Sequence, residues 1–194
     1  MATTHPEAHT STHPATMVED DIVTSVTGRR WLAVTRIATG FIFLWAFLDK
    51  TFGLHYATGA AVAEGDPSLA WVDGGTPSQG FMQFATVGPF QDAFASAAGA
   101  WTDWLFMLGL LGIGVAVMLG VGLRISAVAG SLMMALMWVA EWPLLQGSNN
   151  PVVDYHVIYA LVLVVSAVLL AGDTWGLGRR WARTRAVQRF AWLR

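Results

Sequence analysis

The twenty residues Trp104-Leu-Phe-Met-Leu-Gly-Leu-Leu-Gly-Ile-Gly-Val-Ala-Val-Met-Leu-Gly-Val-Gly-Leu123 contain no charged side chain. A helix that crosses the hydrocarbon core of a bilayer needs about 20 mostly apolar residues. This stretch therefore predicts a membrane-spanning helix. The composition agrees, because 55% of the residues are hydrophobic and only 12% are charged, whereas about a quarter of the residues in soluble domains are charged.

Three further apolar stretches predict three more spans, and these are Trp31 to about Leu54, Ile125–Trp142 and about Val152 to Ala171. We therefore predict an all-α protein, a four-helix transmembrane bundle over residues 29–178. The tight turn around Gly120-Val121-Gly122 joins the second and third spans as an antiparallel pair. Small residues such as Gly112 and Gly114 favour close contact between helices.

The two ends of the chain differ in charge and hydropathy from this membrane domain. Residues 1–28 are rich in Thr, His, Pro and acidic residues and have no apolar run, which predicts a disordered cytoplasmic tail. Residues 179–194 form a basic segment that we expect to lie on the anionic inner leaflet of the bilayer. That position makes the lipid bilayer the expected partner and argues against nucleic acid.

Arginine and lysine are distributed unequally between the predicted ends of the bundle. Arg29, Arg30, Arg124 and the arginines after residue 178 lie at one end, whereas residues 51–103 carry acidic residues and no Lys or Arg. By the positive-inside rule, the multi-pass chain has both termini in the cytoplasm. Arg36, about 8 Å inward from Trp31, is expected to reach that cytoplasmic surface with its long side chain.

The segment between the first two spans, residues 55–103, is too long and too apolar for a simple linker. Thr76-Pro77-Ser78-Gln79 is typical of a helix start, and Gly88-Pro89 would end that helix. A second short helix is predicted to follow with Phe90 and Phe94 on one side. We expect these short helices to lie at the outer interface as a lid over the bundle, although they could simply shield the helix ends.

The chemistry of cysteine is excluded because the chain contains no cysteine. Disulfides, thiolate nucleophiles, iron–sulfur clusters and Cys-ligated zinc are therefore not expected. His5, His9 and His13 recur at four-residue spacing, but intervening prolines oppose the helix that would bring them together. No metal site is predicted.

Ionisable side chains cluster at the predicted outer ends of the first, third and fourth spans. They are Asp49, Lys50, His55, Glu141, Asp154 and His156. Ionisable groups at membrane depth are often functional, but the same residues could form an ion-pair network that only fixes the bundle. Tyr155 and Tyr159 share one helix face, which suits a quinone-like ring or an interfacial aromatic belt.

Five segments carry a family resemblance: Trp45-Ala-Phe-Leu-Asp-Lys-Thr-Phe-Gly-Leu54, Ala70-Trp-Val-Asp-Gly-Gly-Thr-Pro-Ser-Gln-Gly-Phe81, Asp103-Trp-Leu-Phe-Met-Leu-Gly-Leu-Leu-Gly-Ile-Gly114, Asn149-Asn-Pro-Val-Val-Asp-Tyr-His156 and Gly172-Asp-Thr-Trp-Gly-Leu-Gly178. With these, the chain from about Arg30 onward resembles the DoxX/DoxD family of bacterial four-helix membrane proteins. The resemblance implies a bacterial plasma-membrane protein. It also implies one activity, that of the large subunit of a thiosulfate:quinone oxidoreductase, which oxidises thiosulfate to tetrathionate and reduces quinone. Other relatives resemble partners of complexes that defend against thiol oxidants.

The leading hypothesis is a membrane subunit of a quinone-linked oxidoreductase, with quinone as co-substrate and no covalent cofactor. Lys50 would hold an anionic substrate or a quinone oxygen, and His156, supported by Asp154, would transfer protons. Asp49, Glu141, Tyr155 and Tyr159 would complete the pocket. The alternative is a non-catalytic scaffold or accessory subunit of a respiratory or oxidative-stress complex. A second protein subunit and a homo-oligomer are both left open as partners.

Overall fold

The computed structural model describes residues 17–59, 69–145 and 150–194, and within these ranges the regular secondary structure is entirely helical. The all-α prediction is therefore confirmed. The helices are α1 (Glu19–Ile22), α2 (Val26–Phe52), α3 (Gln91–Ala97), α4 (Ala100–Leu119), α5 (Leu123–Glu141), α6 (Tyr155–Val168), α7 (Gly178–Ala182) and α8 (Arg185–Arg189). A π-helical turn (Phe81–Ala85) and two 3-10 turns (Trp71–Asp73 and Ala191–Leu193) complete these elements.

Three helices, α2, α4 and α5, are long and apolar enough to cross a membrane. The predicted fourth span contains a shorter helix, because α6 has 14 residues and measures about 21 Å. It begins at Tyr155, since Asp154 caps its first turn. It ends before Leu170, whose φ of 54° is left-handed and incompatible with a continuing helix. The chain is thus a multi-pass membrane protein with three candidate spans.

The long helices pack as neighbouring pairs, α2 with α4 and α5 with α6, and α4 also contacts α5. Gly114 allows the close approach of α2 and α4, because a Cβ atom there would lie 2.7 Å from the backbone nitrogen of Leu44. Gly112 faces open space instead, so only one of these two glycines has the predicted packing role. The core lies between the helices and contains Phe43, Met107, Leu110, Ile113, Val117, Met134 and Leu163.

The two ends of the bundle carry opposite charge. We call the end with Arg29, Arg124 and Arg179 the arginine-rich end, and the end with Asp103, Glu141 and Asp154 the acidic end. Between α2 and α4, residues 69–99 form the lid segment, which contains α3 and the π-helical turn. The short helices predicted here are present. The helical turn predicted to start at Thr76 begins later in the chain, at Gln79. The backbone N–H groups of Ser78 and Gln79 donate to Asp103 there.

Arg36 does not extend to the surface, so that prediction is wrong. Its side chain is completely buried at the arginine-rich end. It donates hydrogen bonds to the backbone carbonyls of Val117, Met118, Ala171, Thr174 and Trp175. Carbonyls at a helix C-terminus have no partner within the helix and carry partial negative charge. The guanidinium therefore joins the last turn of α4 to the segment after α6, instead of reaching water.

The N-terminal region also differs from the predicted disordered tail. Helix α1 and the start of α2 at Val26, capped by Ser25, lie within residues 17–28, so the prediction of disorder is wrong there. Residues 1–16, with His5, His9 and His13, lie outside the described residues. The order has a long-range cause: the backbone N–H of Glu19 donates to Asp173 at 3.0 Å, a contact no local pattern indicates.

Candidate functional site

Asp154 organises the acidic end of α6. One carboxylate oxygen accepts the backbone N–H groups of His156 and Val157 at 3.0 and 3.2 Å. The other lies 2.9 Å from His156 Nδ1. The same carboxylate therefore begins the helix and fixes the orientation of the imidazole.

His156 is 1% exposed, and its second ring nitrogen, Nε2, has no hydrogen-bond partner among the described residues. If Nδ1 donates its proton to Asp154, the neutral ring presents a lone pair at Nε2. A buried polar atom without a partner is unfavourable in a folded protein. The imidazole therefore has one buried nitrogen that can form a further hydrogen bond.

Tyr155 lies beside this pair and links it to α5. Its ring centroid is 4.0 Å from that of His156, and its hydroxyl lies 3.3 and 3.4 Å from the Glu141 carboxylate oxygens. Tyr159 contacts Tyr155 edge-on at 5.9 Å. The structure thus brings together five of the seven residues proposed for the site, on the ends of two helices. They are Glu141, Asp154, Tyr155, His156 and Tyr159.

Asp49 is directed to a local role instead. It is 2% exposed, and its two oxygens accept the backbone N–H groups of Tyr56 and Ala57 at 3.2 and 2.9 Å. These bonds hold the chain that leaves α2, so each carboxylate oxygen already has a backbone donor. His55 lies in the same turn and is exposed, with a φ of 65°. We therefore assign Asp49 a structural role rather than a place in the pocket.

Lys50 is the only lysine in the chain, and it is partly buried. No hydrogen bond or ion pair joins its ammonium group to any residue in the described ranges. Phe47 lies one turn earlier on the same helix face and packs on the core together with Met137 and Tyr159. Lys50 thus supplies a positive charge at the acidic end that interacts electrostatically with Asp49 without forming an ion pair with it.

The lid segment is fixed at both of its sides. Asp103, at the start of α4, accepts hydrogen bonds from Ser78 and Gln79, including the Ser78 backbone N–H at 2.7 Å. At the other side, the Val87 N–H donates to the carbonyl of Ala140 at 2.9 Å. Sequence reasoning missed this role of Asp103. An isolated acid at the start of an apolar helix was the only signal available.

The same cluster also has donors suited to a metal ion. Glu141, Asp154 and His156 each offer one ligand atom, and these atoms lie within 4.8 Å of one another. Two carboxylates and an imidazole suit a divalent transition metal, although no metal site was predicted from the sequence. The hydrogen bonds of Asp154 to His156 and of Tyr155 to Glu141 account for the cluster without an ion.

Comparison with protein-family models, with curated proteins and with solved structures found no match for this chain. The functional assignment therefore depends on the geometry of the acidic end and on the resemblance described above, which stays a prediction.

Proposed function

We propose that this protein is the membrane subunit of a quinone-linked oxidoreductase and that its site lies at the acidic end. The observation that carries the proposal is the Asp154–His156 pair at the end of an apolar helix, in which the imidazole is buried and its Nε2 has no partner among the described residues. Reduction of a quinone consumes protons as well as electrons. A hydrogen-bonded imidazole at the membrane boundary suits that task, since one ring nitrogen can accept and pass on a proton while the other stays bound to Asp154.

The reaction would couple thiosulfate oxidation to quinone reduction. Two thiosulfate ions join through a new sulfur–sulfur bond to give tetrathionate and release two electrons. The quinone accepts those two electrons and two protons and becomes a quinol. His156 takes up a proton from water at Nε2, where the neutral ring has its lone pair, and passes it to a quinone oxygen while Asp154 stabilises the imidazolium. The second proton also comes from water. Electrons pass to the quinone directly or through a second subunit.

Lys50 would attract the anionic substrate in this scheme. All other charged residues between residues 49 and 103 are acidic, so without Lys50 this end would repel a dianion. Tyr155 and Tyr159 would pack against the quinone ring. The lid segment, held beside Glu141 by the Val87–Ala140 hydrogen bond, would limit the access of water.

The proposal includes a fourth crossing of the membrane by the segment that contains α6. Tyr155 contacts Glu141 at the acidic end, and Ala171 accepts a hydrogen bond from Arg36 at the arginine-rich end. The chain therefore passes from one end of the bundle to the other, although the helix itself is short. In a bacterial plasma membrane, the arginine-rich end and both termini would face the cytoplasm.

The test is thiosulfate-dependent reduction of a quinone analogue by the purified protein in lipid nanodiscs. We expect His156→Gln and Asp154→Asn to lower the rate about 100-fold or more. His55→Gln is the matched control, because His55 lies at the same end but is exposed, and it should retain the wild-type rate. Equal rates for His156→Gln and the wild type would refute the proposed site.

A second candidate is a scaffold subunit without catalysis. It is favoured by aromatic side chains that the lid segment and the start of α4 leave exposed, above all Phe84 at 80% and Trp101 at 61%, because large exposed apolar groups often mark a partner surface. If the wild type neither binds nor reduces quinone but retains a defined partner that Phe84→Ser releases, the scaffold is the better assignment.

A further inference from the structure

At the arginine-rich end, residues 17–22 dock onto the loop that follows α6. We call these residues the N-terminal latch. The Glu19 backbone N–H donates to Asp173 at 3.0 Å, and the Thr174 hydroxyl donates to the Glu19 carboxylate at 2.6 Å. Asp20 adds ion pairs at the rim, at 2.9 Å to Arg179 and 3.3 Å to Arg29. The latch is thus held by polar contacts to distant parts of the chain.

Glu19 is the unusual residue of this interface. It has no exposed surface, and one of its carboxylate oxygens, Oε1, has no hydrogen-bond partner among the described residues. A buried carboxylate with one oxygen unpaired is costly in its ionised form, whereas the neutral acid loses far less on burial. The docked arrangement therefore favours the protonated side chain.

The charged groups around Glu19 do not remove this preference. Arg36 is close enough to interact electrostatically, but its donors are directed to backbone carbonyls. Asp173 adds a negative charge, although Arg194 pairs with it at 2.8 Å. Burial is the largest effect and raises the pKa of Glu19. The Thr174 hydrogen bond and the charge of Arg29 oppose it only in part, and Asp173 adds to it.

We propose that the N-terminal latch is a proton-sensitive closure of the arginine-rich end, docked when Glu19 is protonated and released when Glu19 ionises. Thr174 connects the latch to the interior, because its hydroxyl binds Glu19 and its carbonyl accepts a hydrogen bond from Arg36. Release of the latch would expose this loop to water. The closure acts at the opposite end of the bundle from the oxidoreductase site and does not depend on it.

The direction of the pH dependence follows from linkage. Because the pKa of Glu19 is higher in the docked state than in the released state, the docked state binds the proton more tightly. Docking is therefore strongest at low pH and weakens as the pH rises through the docked-state pKa. Each unit by which the docked pKa exceeds the released pKa changes the docking equilibrium about tenfold.

The absence of cysteine allows a direct test. Met17→Cys and Gln188→Cys, both at exposed positions, would carry spin labels in the full chain, and pulsed electron paramagnetic resonance would give the distance between them. We expect a short distance at about pH 5 and a growing long-distance population towards about pH 8. Glu19→Gln, which mimics the protonated acid, should keep the short distance at every pH.

Asp20→Asn is the matched control, because Asp20 is exposed and its pairs lie at the rim. It should lower the docked population at all pH values and shift the transition to lower pH, but the transition itself should remain because Glu19 is unchanged. A wild-type distance that does not change with pH would overturn the proposal. So would a Glu19→Gln variant, folded by its thermal transition, whose distances follow the wild-type pH profile.

Discussion

Arg36 shows how one residue can join three parts of the chain. Its guanidinium contacts the last turn of α4 through Val117 and Met118 and the segment after α6 through Ala171. The helix ends supply partial negative charge, so a cation can be buried without a carboxylate in direct contact. Sequence reasoning identified the charge but placed it at the surface, because it could not show that two helix ends converge on α2.

Removal of this guanidinium should be costly. In Arg36→Met the carbonyls of Met118 and Ala171 lose their donors, whereas Val117 keeps the Gly120 N–H. Each buried unsatisfied group costs about 1–3 kcal/mol. We expect the free energy of unfolding to fall by at least about 3 kcal/mol. Thermal unfolding in detergent measures this, with the exposed Arg124→Gln as control. Equal melting temperatures for the two variants would contradict the assignment.

Asp103 has a comparable role at the opposite end. Its carboxylate accepts hydrogen bonds from Ser78 and Gln79 and is 4% exposed. In Asp103→Asn only one side-chain oxygen can still accept a hydrogen bond, and the new amide NH₂ group faces the N–H donors of Ser78 and Gln79. The lid segment should therefore open more easily. Hydrogen exchange over residues 78–87 should quicken about tenfold or more. Asp92→Asn, an exposed change in the same segment, should leave that exchange unaltered.

At the scale of elements, the crossing of α2 and α4 depends on a glycine on each helix, Gly40 on α2 and Gly114 on α4. A Cβ atom at Gly114 would lie 2.7 Å from the Leu44 nitrogen and 2.9 Å from its Cα atom. Because both atoms belong to the backbone, the helices would have to separate. Gly112, half a turn away, has open space around it. The sequence pattern singled out both Gly112 and Gly114, but only the packing of α2 distinguishes them.

This difference predicts opposite outcomes for two similar substitutions. Gly114→Ala should lower the thermal unfolding temperature, because the forced separation costs about 1–3 kcal/mol. Gly112→Ala should leave it unchanged or raise it, since alanine favours the helix by about 1 kcal/mol over glycine. If Gly114→Ala were the more stable variant, the close crossing would be wrong.

Helix α6 shows where hydropathy reaches its limit as a guide. The apolar stretch from Val152 to Ala171 has the length of a span, but the helix within it is set by two polar details. Asp154 caps its start, and the carbonyl of Ala171 is directed towards Arg36 beyond its end. Asp154 and His156 were expected in the site, and the structure places them in contact. The local sequence pattern could not predict the hydrogen bond from Arg36 to the Ala171 carbonyl. It also could not predict that Asp49 holds the turn after α2.

For the whole molecule, the charge distribution predicts orientation, and the cysteine-free sequence makes this easy to test. Single cysteines at Asp73, in the lid segment, and at Gln188, in α8, lie at opposite ends of the bundle and are exposed. In intact spheroplasts, a membrane-impermeant thiol reagent should label Asp73→Cys at once. It should label Gln188→Cys only after the membrane is made permeable.

Labelling of both positions from the same side would contradict the four-crossing topology.

The all-helical fold and three of the spans follow from apolar runs of sufficient length, which a sequence displays directly. Long-range polar contacts do not follow from it. Glu19, Arg36 and Asp103 each bind partners more than 20 positions away, and these contacts fix the two ends of the bundle.

The most direct test of the central claim compares His156→Gln with His55→Gln in the quinone reduction assay, with thiosulfate as donor and any co-purifying subunit retained. The claim predicts that His156→Gln loses about 100-fold or more in rate while remaining folded, and that His55→Gln keeps the wild-type rate. Equal rates for both variants and the wild type would show that the buried imidazole takes no part in the reaction.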